Sequence, residues 1–104
     1  MFEIKNEKYK EEVIEAITVA IFSVAKKHAI AGTPVLLMGE AIEACIMNAS
    51  YIAGISKVCD TNQGIRKVGE WCGKKVRTLI TIQREEFGGG CPPNWKIHYG
   101  NESH

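Results

Sequence analysis

The sequence predicts an all-α domain, built as a three-helix antiparallel bundle with a docked C-terminal tail. Three observations predict it. Apolar residues recur at spacings of three and four over three long stretches. Capping residues stand at the starts of those stretches and glycines near their ends. The Gly/Pro-rich punctuation is concentrated after residue 87. The 104 residues are one domain's worth of chain. The domain is therefore expected to be single, over 1–104.

The first helix is expected over residues 7–28. Val13, Ile14, Ile17, Ala20, Ile21, Val24 and Ala25 form its stripe. Asn6 is a good N-cap, and Glu7, Glu11 and Glu12 load the first turns with negative charge. Lys26, Lys27 and His28 close the helix with positive charge, so both ends suit the macrodipole. Gly32 marks the stop.

The second helix is expected over 34–58, with Thr33 as cap and Pro34 at the first helical position. Leu36, Leu37, Met38, Ile42, Ile46, Met47, Ile52, Ile55 and Val58 cover nearly every direction around it. A helix apolar all round must be covered all round. Three helices supply too few neighbours for that, so a homo-oligomer centred on this helix is expected. Asn48, in its middle, is a residue type that fixes register when buried.

The third helix is expected over 61–87, capped by Asp60 or Thr61 and stopped at Gly88. Ile65, Val68, Cys72, Val76, Leu79 and Ile80 make one stripe, with a charged face opposite. The rival is an α+β fold with a C-terminal β-hairpin. In it the β-branched run within 75–84 pairs with 94–99, where Trp95, Ile97 and Tyr99 alternate with polar residues. Residues 88–104 form a tail whose Trp95 and Tyr99 are large enough to require docking.

Function is bounded mostly by exclusion. Thirteen Lys+Arg against twelve Asp+Glu give a net charge of +1, too balanced for a duplex nucleic-acid reader. No stretch is apolar enough for a membrane span, and the charged start is unlike a signal peptide, so a cytoplasmic location is expected. Cys45, Cys59, Cys72 and Cys91 contain no C-x-x-C pair, so neither a zinc site nor a disulfide framework is expected. Cys45, Cys59 and Cys72 read as small buried hydrophobes, and Cys91 as a loop thiol. No serine sits in a nucleophile setting, and no catalytic residue, metal or cofactor is expected.

One stretch invites a ligand. Residues 64–84 hold six cations (Arg66, Lys67, Lys74, Lys75, Arg77 and Arg84) against Glu70 alone. Gly64, Gly69 and Gly73 permit close approach of a ligand or a backbone. Arginine forks and a Trp71 face suit an anionic, nucleotide-like small molecule. Arg66, Lys67, Trp71, Lys74, Arg77, Trp95 and Tyr99 are the expected contacts. A solvated face laced by Arg66–Glu70 and Glu70–Lys74 pairs is the plainer account. The expected function is a small non-enzymatic oligomeric adaptor or sequestering protein, holding a protein partner or an anionic ligand at its subunit interfaces. The alternative is a Mg-dependent all-α nucleotide hydrolase using Glu40 and Glu43, although no second acidic pair follows at Ser56–Asp60.

Overall fold

The computed structural model describes residues 1–88 and 96–98. The fold class is all-α. Helices α1 (Glu7–Lys27), α2 (Met38–Ala53) and α3 (Asn62–Phe87) are joined in order by a strand β1 (Val35–Leu37) and a 3-10 turn (Lys57–Asp60). A strand β2 (Lys96–His98) follows α3. The chain forms two compact units, one of Phe2–Ala44 with Cys91–His104, the other of Cys45–Gly90 with Met1.

In the unit that begins with Phe2, Asn6 caps α1 as its side chain predicts. Its Oδ1 accepts the Tyr9 N–H at 2.9 Å. Glu7 pairs with Lys10 at 2.6 Å. At the other end the His28 N–H donates to the Val24 carbonyl at 3.1 Å. His28 is thus the C-cap residue. The chain then reverses sharply. Ile30 and Thr33 exchange two backbone hydrogen bonds of 3.0 Å each. Between them Ala31 and Gly32 both have positive φ, 52° and 81°. Two successive positive φ values inside an i, i+3 closure are the signature of a type I′ turn.

The expected helix start at Pro34 is corrected here. Val35–Leu37 are extended and pair in parallel with the tail, Val35 opposite Lys96, Leu36 opposite Ile97 and Leu37 opposite His98. The Pro34 carbonyl accepts the Lys96 N–H at 2.8 Å. A β-branched residue next to a partner strand takes the sheet conformation that its local helix signal did not favour. Helix α2 starts only at Met38. Ala25 and Val35 are the buried hydrophobic residues of this unit, and α1 contacts β1.

In the other unit α2 ends at Ala53, five residues before the expected stop at Val58. Gly54 and Ile55 turn the chain, and the Ser56 Oγ accepts the Val58 N–H at 3.2 Å. That hydroxyl starts the 3-10 segment, so Lys57 and Val58 leave α2. Thr61 then caps α3, its Oγ1 accepting the Gly64 N–H at 3.0 Å. The 3-10 segment packs against α3, where Gly64 and Val68 are buried. Helix α3 continues unbroken through residues 75–84. Within that β-branched run the Thr81 hydroxyl donates to the Arg77 carbonyl at 3.0 Å. Gly88, with φ 71°, ends it by donating to the Arg84 carbonyl at 3.0 Å.

The hairpin alternative is therefore overturned. Residues 75–84 are helical, and the extended residues 96–98 pair with β1 instead. The tail docks, through a partner the local pattern did not indicate. Trp95, Tyr99 and Cys91 lie outside the described residues.

Candidate anion-binding face of the third helix

An α-helix turns by about 100° per residue, which sorts the predicted contacts of α3 into two groups. Lys67, Trp71 and Lys74 follow at intervals of four and three, so they share one face. Arg66 and Arg77 lie eleven residues apart, a whole number of turns to within about 20°, and flank that face on one side, Arg77 three residues and about 60° on from Lys74. Trp71 thus stands among lysines, and the expected arginine contacts lie about 120–140° around the helix from it, with Arg77 adjacent to Lys74. Trp95 and Tyr99 fall outside the described residues.

Around Trp71 the side chains along one ridge of α3 leave a shallow recess between them. Trp71, Lys74, Lys75, Thr78 and Leu79 line a groove of about 340 Å³. Trp71 is half-buried. The Lys75 ammonium sits over its ring, 5.5 Å from the ring centroid. Lys75, Thr78 and Leu79 were not among the expected contacts. Their signal is simple spacing from Trp71, four, seven and eight residues on.

The lattice of i, i+4 ion pairs expected for a plain solvated face does not form. Among the described residues the ion pairs are Lys5–Glu3 at 2.8 Å and Lys10–Glu7 at 2.6 Å, both near the start of the chain. Neither Arg66–Glu70 nor Glu70–Lys74 closes. The three glycines of this segment also separate in role. A Cβ on Gly64 would overlap the Val58 carbonyl oxygen, so this glycine admits a backbone and not a ligand. Gly69 faces open space, and a Cβ on Gly73 would meet the Arg77 guanidinium at an ordinary 3.8 Å.

Other candidate chemistry stays dispersed. Glu40 and Glu43 are exposed on α2, and no group of three or more His, Cys, Asp or Glu able to hold a metal occurs among the described residues. Cys45 is exposed, and Cys59 and Cys72 are half-buried, which corrects the expectation of three buried thiols. Cys59 does find a partner, its thiol donating to the Ala53 carbonyl at 3.3 Å. Asn48 is exposed. Among the described residues no helix is long and apolar enough to cross a membrane. No family model, curated protein or solved structure matches this chain.

Proposed function

We propose that the chain is the subunit of a cytoplasmic, non-enzymatic homo-oligomer that binds a protein partner or an anionic, nucleotide-like ligand at or beside its subunit interfaces. The observation that carries the reading is the state of α2, which contains no buried residue at all. Ile46, Met47 and Ile52 are 58%, 50% and 70% exposed, and Ile55 just beyond the helix is 84% exposed. Single exposed apolar residues are ordinary, whereas a run of them along one helix marks an interface.

The magnitudes favour assembly. Fully burying an Ile or Met side chain contributes about 1.5–3 kcal/mol. Association costs about 4–15 kcal/mol in lost rigid-body freedom. Half a dozen such residues per subunit therefore suffice to offset it. Symmetric self-association is the commonest way for a small chain to cover such a surface.

The test is native mass spectrometry of the protein purified from cells. The reading expects multiples of the 11.5 kDa chain mass, with any tightly held small molecule seen as an added mass. A spectrum of bare single chains at micromolar concentration would contradict it.

A further inference from the structure

We infer that the apolar face of α3 pairs with the same face of a second copy of the chain, the two helices running antiparallel about a two-fold axis at Val76. The inference rests on the homo-oligomer reading above and names a surface other than α2, with its register.

The sequence supplies the seam. Ile65, Gly69, Cys72, Val76 and Leu79 follow one another at alternate spacings of four and three. That is the spacing of the residues that meet across paired helices. Lys67 and Glu85 lie nine residues either side of Val76, which puts both on the opposite side of the helix. In the structure the seam is open from its middle onward. Val76, Leu79 and the adjoining Ile80 are 55%, 60% and 54% exposed. The 3-10 segment packs on the side of Gly64 and Val68, about 80–120° around the helix from Val76.

Area identifies the occupant. The chain exposes 8828 Å². A compact monomer of 11.5 kDa exposes about 5800 Å². Two separate compact units of about half that mass would expose about 7000 Å² together. The chain thus shows at least about 1800 Å² beyond what its mass calls for. Extensive subunit interfaces cover about 1000–2500 Å² of each partner, so a second copy is a cover of the right size.

Shape sets the direction. The seam is small in its first half, at Gly69, Cys72 and Gly73, and large in its second, at Leu79 and Ile80. An antiparallel pair centred on Val76 sets Leu79 of each copy against Cys72 of the other, and Ile80 against Gly73. A Cβ on Gly69 would meet nothing within 4 Å, and one on Gly73 would meet the Arg77 guanidinium at 3.8 Å, so the small half has room to receive those side chains. A parallel pair would set small against small and large against large, with a void at one end and crowding at the other.

The experiment is disulfide trapping in the full chain with Cys45, Cys72 and Cys91 replaced by alanine, read on non-reducing gels after mild oxidation. Cys59 stays in every variant, because its thiol bonds the Ala53 carbonyl. Val76→Cys should form covalent dimer at least about tenfold faster than Lys67→Cys or Glu85→Cys, which point away from the partner. Leu79→Cys should link only where Cys72 is kept. Residues 72 and 79 of one helix stand about 10 Å apart, too far for a bridge within one chain. Circular dichroism on each variant checks that the helices persist, and native mass spectrometry reports separately whether the chain assembles.

Three results would overturn the inference. Leu79→Cys that links to itself without Cys72 would show a parallel pair. Val76→Cys that links no faster than Lys67→Cys, in a chain that is oligomeric by mass, would remove the α3 contact and spare the broader reading. A chain that stays single would remove both.

Discussion

Gly64 stands directly against the Val58 carbonyl oxygen, so closely that no side chain fits between α3 and the 3-10 segment before it. The obstacle is backbone, which cannot swing aside as a flexible side chain would. Gly64→Ala must therefore separate the two segments and loosen the burial of Val68 nearby on α3. The expected loss is at least about 2 kcal/mol in urea unfolding. Gly69→Ala, five residues further along the same helix, meets nothing within 4 Å. It should stabilise by about 0.5–1 kcal/mol through helix propensity alone. Equal effects from the two substitutions would contradict this packing.

The turn at Ala31–Gly32 predicts a second asymmetry. Both residues have positive φ, yet only one of them is glycine. Left-handed backbone costs a residue with a Cβ about 1–2 kcal/mol. Gly32→Ala should therefore destabilise by about that amount. Ala31→Gly should be neutral or stabilising by up to about 1 kcal/mol, its relief partly offset by a freer unfolded chain. Thermal unfolding of both variants is the check, and a clear loss on Ala31→Gly would contradict the turn.

Local signals are decisive where local physics sets the structure. Asn6, Thr61, His28 and Gly88 cap their helices as their side chains and positions indicate. The third helix survived a β-branched run because its two-faced period spans 26 residues and the run only seven. What the sequence did not disclose was non-local. Val35–Leu37 left α2 because residues 96–98 pair with them, and a parallel pairing across α2 and α3 has no short-range signature. The groove was half legible. Trp71 and Lys74 follow from the charge and aromatic pattern, whereas Lys75, Thr78 and Leu79 emerge only from their spacing of four, seven and eight residues from Trp71.

The tail supplies a third prediction. Deleting residues 91–104 removes β2 and with it the Lys96 hydrogen bond to Pro34 and the partner of β1. The helices make their own backbone bonds, so their circular-dichroism signal should persist. Val35, at 7% exposed, should become accessible and unfolding should occur at lower urea. Loss of the helical signal on deletion would show that the tail supports the helices themselves.

Capping gives a fourth. Thr61→Ala removes the acceptor for the Gly64 N–H and should cost about 1 kcal/mol. Thr61→Ser keeps the hydroxyl and should recover most of that stability. If alanine and serine behave alike in chemical denaturation, the 3.0 Å bond contributes nothing to the start of α3.

The central claim is that the uncovered apolar residues of α2 are covered by further copies of the chain. Light scattering on the purified protein at micromolar concentration tests it most directly. The account predicts a particle of at least twice the 11.5 kDa chain mass. It also predicts that Ile46→Glu or Ile52→Glu shifts the particle toward the single chain, because a carboxylate buried in an apolar interface has no partner. A wild-type protein that stays at 11.5 kDa, with cooperative unfolding and no change on either substitution, would contradict it.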